Sequence, residues 1–138
     1  MIAEAGADLS AFPSEKHFTS RLGLCPTNEQ SGGRILTRRT RKVVNRATVA
    51  FRNAAATLLR SQSYLGAQYR RLRTRLGAPK AITAMARKLA CLFYRLVKHG
   101  QQYVDKGTEY YEARYREQRA LSRRAQKLGL ELVIPKTA

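Results

Sequence analysis

Residues 78–100 read APKAITAMARKLACLFYRLVKHG, and the pattern of this stretch indicates a single amphipathic helix. Large apolar residues recur at steps of three and four, which places them on one helix face. This predicted stripe consists of Ile82, Met85, Leu89, Leu92 and Leu96. Pro79 suits the first turn because its missing N–H needs no partner there, while His99 and Gly100 match a cationic last turn and a glycine cap.

Two further helices with the same spacing are predicted before this stretch. The pattern is helical from Arg41 to Arg60, and another helix opens near Ser63 and stops at Gly77. The first of these helices is expected to bury Val44, Ala47, Phe51, Ala54 and Leu58. The second is expected to bury Leu65, Tyr69, Leu72 and Leu76.

The two ends of the chain carry weaker patterns. Residues Ile2 to Ala5 resemble the end of a helix, and Ser14 is a plausible N-cap for a short helix that carries Phe18. A last long helix is predicted from about Thr108 to Leu128. Residues Leu130 to Ile134 are expected to form a short terminal strand.

Residues Thr27 to Thr40 have neither a helical nor an alternating period, which predicts an ordered loop with Ser31-Gly32-Gly33 at its centre. A short strand is expected around Ile35 and Leu36. The predicted fold class is therefore all-α in the main. We expect one compact helical domain over residues 1–138, with about four to five helices, one Ser-Gly-Gly loop and at most short strands.

The charge of the chain is strongly positive and unevenly spread. There are 27 Lys and Arg against nine Asp and Glu, a formal net charge of +18, and no acid lies between Gln30 and Val104. A stretch without acids gives up local ion pairs, so we interpret it as a surface that faces phosphates. A charge excess that serves solubility and a ribosome-like RNA coat remain as alternatives.

The cysteines and the hydropathy pattern indicate the cellular compartment of the protein. Cys25 and Cys91 are far apart and outside any Cys-x-x-Cys pattern, which favours free buried thiols over a zinc site or a disulfide. No apolar run is long enough to span a bilayer, and the N-terminus lacks the pattern of a signal peptide. The sequence therefore predicts a cytoplasmic protein without a membrane partner.

The Ser31-Gly32-Gly33 loop is the first candidate functional feature. Two glycines leave the Ser31 hydroxyl open and let a phosphate backbone approach closely. A serine that attacks a phosphodiester needs nearby cations, and seven bases follow the loop. These bases are Arg34, Arg38, Arg39, Arg41, Lys42, Arg46 and Arg52. From the residues alone, a turn serine beside a DNA-binding helix is the favoured interpretation, because no general base for Ser31 is evident.

Other polar clusters have simpler interpretations. Lys42, Asn45, Arg46 and Arg52 can face a DNA groove or its backbone, and phosphate contact is favoured over base readout. The bases at positions 70, 71, 73 and 75 spread around a helix, which favours a solvated face. Five tyrosines in the second half of the chain can stack on unpaired bases, although partly buried packing is the preferred interpretation. They are Tyr94, Tyr103, Tyr110, Tyr111 and Tyr115.

Several short motifs, in order along the chain, resemble the Piv-type insertion-sequence transposases of the IS116/IS110/IS902 family. They lie in the segments 3–8, 12–14, 23–26, 30–33, 40–46, 69–72 and 80–84. Among them are Phe12-Pro13-Ser14, Gly23-Leu24-Cys25-Pro26 and Gln30-Ser31-Gly32-Gly33. Each motif is weak by itself, whereas the ordered set is specific and covers nearly the whole chain.

The resemblance implies an enzyme whose active site is formed by two domains. Family members join an N-terminal RuvC-like domain, which binds metal through a DEDD set of acids, to a C-terminal helical domain with a nucleophilic serine. That serine matches Ser31, it becomes covalently linked to DNA, and the basic residues after it contact DNA or a guide RNA. Mg²⁺ is implied for the complete enzyme, with no cofactor in this chain, and the full-length enzyme is expected to form a homo-oligomer.

This chain departs from the family pattern in three respects. It begins inside what resembles the family's helix-hairpin-helix region, without the metal-binding domain, so we expect it to be inactive alone. Val44-Asn45 stands where the family often has Gly-Asn, and Arg52 lies one step from the position of a frequent family base.

Two functions are carried forward from the sequence. The first is DNA transposition, with this chain as the N-terminally truncated, DNA-binding C-terminal part of a transposase and Ser31 as its nucleophile. The alternative is a stand-alone basic nucleic-acid-binding module without catalytic activity. A basic membrane-surface protein is disfavoured, because the helices need their apolar faces for a shared core.

Overall fold

A computed structural model describes residues 9–27, 29–37, 39–43 and 45–130 of the chain. Five α-helices and one two-stranded hairpin form within these ranges, which confirms the mainly α-helical class. The helices are α1 (Glu15–Arg21), α2 (Arg46–Thr57), α3 (Tyr64–Leu76), α4 (Ala78–His99) and α5 (Gly107–Lys127). The strands are β1 (Glu29–Ser31) and β2 (Arg34–Thr37), and 3₁₀ turns occupy Leu9–Ala11 and Leu58–Arg60.

Helix α4 lies at the centre of the core, where α1, α2 and α3 all pack against it. Its buried face differs from the predicted stripe, of which only Met85 is fully buried. The residues that α4 buries are Ala81, Met85, Ala86, Ala90 and Tyr94. Leu96 is 50% exposed, and Leu92 lies at the margin of the core. The small alanines explain the shift, because they let neighbouring helices approach closely while contributing little to a pattern of large apolar residues.

Aromatic rings fill the space between α1, α2 and α4. The Phe18 ring centroid lies 5.4 Å from that of Phe12, 6.2 Å from that of Phe93 and 5.8 Å from that of Tyr94. Phe51 of α2 meets Phe93 edge to face at 5.8 Å. The Tyr94 hydroxyl donates a hydrogen bond to the Phe12 carbonyl at 2.7 Å, so the buried phenol is satisfied.

Local capping signals set most of the helix ends. Ser14 caps α1 and Ser63 caps α3, as predicted, each accepting a backbone N–H with its side chain. Gly100 ends α4 in the left-handed conformation that glycine adopts readily. Helix α5 follows the predicted range closely, and its Leu121 side chain is 51% exposed. The predicted N-terminal helix end lies outside the described residues, as does most of the predicted terminal strand.

Helix α2 begins five residues later than predicted. Residues 41–43 are not helical, and Asn45 caps the helix by accepting the Ala47 N–H at 2.7 Å with its carboxamide oxygen. The predicted core position Ala54 is exposed, whereas its neighbour Ala55 is completely buried. Val44 lies outside the described residues.

The predicted loop is mainly a β-hairpin. Strands β1 and β2 pair antiparallel with an irregularity next to Glu29, and a bridge between Pro26 and Thr40 extends the ladder. Thr27 adds its backbone N–H and its hydroxyl, which both donate to the Arg39 carbonyl at 2.9 and 2.7 Å. The strand expected around Ile35 and Leu36 is confirmed. The prediction of an ordered loop without further strands was wrong for Glu29–Ser31, because short strands without alternation carry little sequence signal.

Gly66, in the first turn of α3, is required by close packing. A Cβ atom at this position would lie 2.2 Å from the Ser61 carbonyl oxygen and 3.0 Å from that of Leu58. We expect Gly66→Ala to lower the free energy of unfolding by about 3 kcal/mol, because backbone atoms must move to admit the methyl group. Helix propensity alone predicts the opposite sign, a gain of about 1 kcal/mol.

Urea unfolding followed by circular dichroism measures this effect. The matched control is Ala84→Gly at an exposed position of α4, where propensity acts alone and a loss of about 1 kcal/mol is expected. A Gly66→Ala variant as stable as the parent would contradict the close approach of Ser61.

An ion pair joins α1 to α4. Arg95 donates to both carboxylate oxygens of Glu15, at 2.7 and 3.0 Å, and this hydrogen bonding holds the pKa of Glu15 below its usual value. A carboxylate with a depressed pKa stabilises the fold at neutral pH, and that contribution is lost as the pH falls through the pKa of the folded state.

Both side chains of this pair are more than a third exposed, so its contribution to stability is small. We expect Glu15→Gln to cost less than about 1 kcal/mol at pH 7 and nothing at pH values well below the lowered pKa of Glu15 in the folded protein. Urea unfolding at both pH values measures this, with Glu117→Gln on α5 as the control. A cost that is equal at both pH values would contradict the role of the charge.

Candidate nucleic-acid interface

Ser31 lies at the end of the hairpin, where it flanks a two-residue turn. Gly32 and Gly33 both have positive φ angles, of 56° and 76°, as a type I′ turn requires. The register pairs Ser31 directly with Arg34 across this turn. Ser31 is exposed, and its hydroxyl makes no hydrogen bond to any described residue. The sequence prediction of an open serine is therefore compatible with the hairpin.

The space around the turn is also open. A Cβ atom at Gly32 or Gly33 would meet no described heavy atom within 4 Å. The two glycines therefore serve the backbone conformation of the turn and fill no packed interior.

The candidate basic residues that the structure describes are all exposed. Arg34 and Arg39 belong to the hairpin and its stem, Arg41 and Lys42 to the extended segment that follows, and Arg46 and Arg52 to α2. The remaining candidate, Arg38, lies outside the described residues. The hairpin and the start of α2 thus bring six of the predicted bases into one continuous part of the chain.

Arg41 has a structural contact that the sequence did not indicate. Its guanidinium donates to the Ser20 carbonyl of α1 at 2.8 Å, which ties the extended segment after the hairpin to α1. Gly23 lies beside this contact with a φ of 65°, and a Cβ there would lie 2.7 Å from Cγ2 of Val43 and 3.0 Å from the Arg41 carbonyl oxygen. These close contacts fix the direction in which the chain leaves α1 at Gly23, next to the extended segment that follows the hairpin.

Asn45 and the exposed side of α2 have different roles. Asn45 uses its carboxamide oxygen to cap the helix, so a bidentate contact to adenine, which needs both carboxamide atoms, would break that cap. Arg46, Val49, Arg52 and Asn53 lie at helical spacing and are all exposed, and we call them the outer face of α2. Val49 and Asn53 are not among the site residues predicted from the sequence.

Arg70 and Arg71 are not part of a solvated face. Arg70 donates to the carbonyls of Leu59 and Ser61 at 3.3 and 2.7 Å and so holds the 3₁₀ turn against α3. The Arg71 guanidinium carbon lies 3.1 Å from the ring centroid of Tyr115, which joins α3 to α5. The favoured interpretation applies to Arg73 and Arg75, which are exposed.

The five tyrosines fall into two groups. Tyr94 is buried in the core, and Tyr111 and Tyr115 pack against Arg71, in line with the packing that the sequence favoured. Tyr103 and Tyr110 are 45% and 41% exposed. Burial and a hydrogen bond to Asp105 raise the pKa of Tyr103 to about 12, so its ring is neutral at physiological pH.

In the part of the chain that the structure describes, no side chain forms a hydrogen bond to the Ser31 hydroxyl, and no metal centre is formed. No three His, Cys, Asp or Glu side chains within it come together as ligands for an ion. These residues therefore do not fit Mg²⁺, and the requirement expected for the complete enzyme stays a prediction. Cys25 and Cys91 are free thiols of intermediate burial, and burial raises the pKa of Cys91, which keeps it protonated.

The helices that the structure describes include none that is both long enough and apolar enough to cross a bilayer. The surface around Ser31 and α2 is instead basic and exposed to solvent.

Comparison with known proteins identifies the class. Residues 1–70 match the family described as Transposase IS116/IS110/IS902 family, a region that contains Ser31 and all of the candidate bases. The chain belongs to this family of insertion-sequence transposases, and its role is in DNA transposition. No curated protein and no solved structure matches the chain.

Proposed function

We propose that this chain is the DNA-binding, serine-bearing part of an insertion-sequence transposase, with Ser31 as the nucleophile. The observation that carries the proposal is the place of Ser31 within the region of the family match. Its exposed hydroxyl flanks an open Gly32-Gly33 turn, with Arg34 paired directly opposite.

The chemistry is a phosphoryl transfer to serine. The Ser31 oxygen attacks a phosphorus of the DNA backbone, a new phosphorus–oxygen bond forms, and the bond to one bridging deoxyribose oxygen breaks. That oxygen leaves as a hydroxyl after it takes up a proton. The guanidinium of Arg34 is suited to offset charge that develops on the phosphoryl oxygens, since arginine donates in a fork that matches phosphate.

The proton of the Ser31 hydroxyl needs an acceptor, and no described side chain accepts a hydrogen bond from this hydroxyl. The proposal therefore assigns the base and the metal to the RuvC-like domain that the family resemblance implies. It also assigns the remaining bases of the hairpin and the outer face of α2 to phosphates of the DNA, where they position the strand. A guide RNA and a homo-oligomer remain proposals of the same kind.

The test is a covalent complex between the protein and DNA from the ends of the element. The complex should form when the complementary domain is supplied and should be absent in Ser31→Ala. The alternative, a stand-alone nucleic-acid-binding module, is favoured by the absence of a metal-ligand cluster among the described residues. It predicts DNA binding that is equal in both proteins, with no covalent complex in either.

A further inference from the structure

The segment between α4 and α5 is anchored although it has no regular secondary structure. Residues 101–106 pass the start of α3, where the Asp105 carboxylate accepts the Tyr64 backbone N–H at 2.9 Å and the Tyr103 hydroxyl at 3.1 Å. The Thr108 hydroxyl donates to the Gln62 carbonyl at 2.9 Å. These contacts hold the segment in one position against α3.

This anchoring forms a small pocket with aromatic and cationic walls. We call it the tyrosine pocket; it has a volume of about 180 Å³ and is lined by Tyr64, Tyr103, Val104, Lys106, Tyr110 and Arg114. The ring centroids of Tyr64 and Tyr110 are 6.3 Å apart, and the Lys106 ammonium lies 4.8 Å from the centroid of Tyr110. The pocket is therefore flat-walled and positively charged.

Three aromatic or apolar side chains of the tyrosine pocket are exposed to solvent. Tyr103 and Tyr110 present more than two fifths of their surface, and Val104 is 73% exposed. Rings that only filled the junction between α3 and α5 would be covered, as Tyr111 is by its edge-to-face contact with Tyr64 at 4.9 Å. Asp105, which lies between the lining residues Val104 and Lys106 in the chain, is engaged with Tyr64 and Tyr103.

We propose that the tyrosine pocket binds an unpaired base of a single-stranded nucleic acid, with Lys106 and Arg114 contacting the adjoining phosphates. Aromatic faces beside cations are the combination that single-strand binders use, because every base has a face that stacks. The volume is below the roughly 300 Å³ at which pockets for free small molecules begin, which favours one flat group inserted from a longer strand.

The proposed site lies outside the matched residues 1–70 except for Tyr64, and it is formed by other elements than the hairpin and the outer face of α2. This proposal rests on the proposed nucleic-acid function, because the single strand would belong either to the DNA substrate or to the guide RNA. Binding of duplex DNA at the hairpin and of a single strand at the tyrosine pocket are separate measurements, so one can fail without the other.

The experiment measures binding of fluorescein-labelled ten-nucleotide strands by anisotropy, with the full chain. The strands are oligo-dT, oligo-U and an oligo-dT in which abasic sites replace the bases. Tyr110→Ala and Tyr103→Ala should each weaken binding of at least one base-bearing strand about tenfold, the range seen when a stacking side chain is removed. Tyr110→Phe should bind like the parent, because the ring remains.

Leu121→Ala is the matched control on α5, since it removes an exposed apolar side chain away from the pocket. It should leave all three affinities unchanged, as should Tyr110→Ala for the abasic strand and for duplex DNA. The comparison of oligo-dT with oligo-U identifies DNA or RNA as the preferred source. Equal binding of base-bearing and abasic strands by the parent would overturn the proposal, as would parent-like binding by both alanine variants.

Discussion

Raising the salt concentration from about 50 to 200 mM should weaken the binding of duplex DNA by this chain about 1,000-fold. Six described candidate bases are exposed on the hairpin, on the segment after it and on α2. Each base that neutralises a phosphate releases counterions, so about six contacts give a slope near −5 in a plot of log affinity against log salt. Anisotropy titrations of labelled duplex at several salt concentrations measure this slope.

Single variants locate the contacts. Arg34→Ala and Arg52→Ala should each reduce the salt slope by about one, because each removes one phosphate contact. Arg73→Ala is the control, since it removes an equally exposed charge from α3, outside the proposed surface. If all three variants lower the slope equally, the charge acts as a diffuse field and the assignment to the hairpin and α2 is wrong.

The same titration separates the alternatives that composition left open. A ribosome-like RNA coat predicts tighter binding to duplex RNA than to duplex DNA of the same sequence. A charge excess that serves only solubility predicts affinity too weak to titrate at either salt concentration. The proposed transposase role requires duplex DNA to bind with the steep slope.

The helix ends were predictable from sequence because their signals are local. Ser14, Ser63 and Gly77 each act within a few residues of a helix terminus, and all three lie where the pattern placed them. The start of α2 was not predictable in this way, because the periodic pattern of apolar residues extends N-terminally past Asn45, which caps the helix. The apolar period alone therefore did not locate this helix start, which the Asn45 cap sets.

The buried face of α4 and the contacts of Arg70 and Arg71 could not be predicted from the sequence. The buried face of α4 is rich in alanine. How deeply these alanines are buried depends on how closely α1, α2 and α3 approach α4, and no local sequence pattern encodes that distance. Arg70 and Arg71 are held by carbonyls of a 3₁₀ turn and by rings of α5. Their partners come from tertiary contacts, so a charge pattern along one helix cannot distinguish them from Arg73.

The candidate site was predicted in its residue types and only partly in its geometry. The Ser31-Gly32-Gly33 motif indicated an open serine, and the structure adds the type I′ turn and the pairing with Arg34. The capping role of Asn45 and the anchoring of Arg41 to Ser20 depend on the fold around them. Both contacts concern residues for which the sequence indicated DNA contact alone.

Substitution of Ser31 by alanine should abolish the covalent complex between the protein and DNA, with a loss of at least about 1,000-fold, because no other atom replaces a deleted nucleophile. The assay combines the full chain with a RuvC-like domain from a family member, Mg²⁺, guide RNA and DNA from the element ends. Denaturing gel electrophoresis detects the adduct, and peptide mapping locates the modified residue.

The controls separate chemistry from binding. Ser122→Ala removes another exposed serine hydroxyl, on α5, and should form the adduct like the parent protein. Ser31→Ala should bind duplex DNA with the affinity and salt slope of the parent, because the hydroxyl contributes no charge. An adduct that persists in Ser31→Ala would remove Ser31 from the role and leave the hairpin as a DNA-positioning turn.

The case in which neither protein forms an adduct also discriminates between the two functions. Suppose that DNA binding shows the steep salt slope and that the RuvC-like domain is active in a family member's own assay. The absence of an adduct then means that the Ser31 hairpin does not supply the nucleophile. The chain would then be the basic nucleic-acid-binding module of the alternative. The exposure of Ser31 would reflect only the demands of a type I′ turn, in which Gly32 and Gly33 supply the positive φ angles and the residue before them faces solvent.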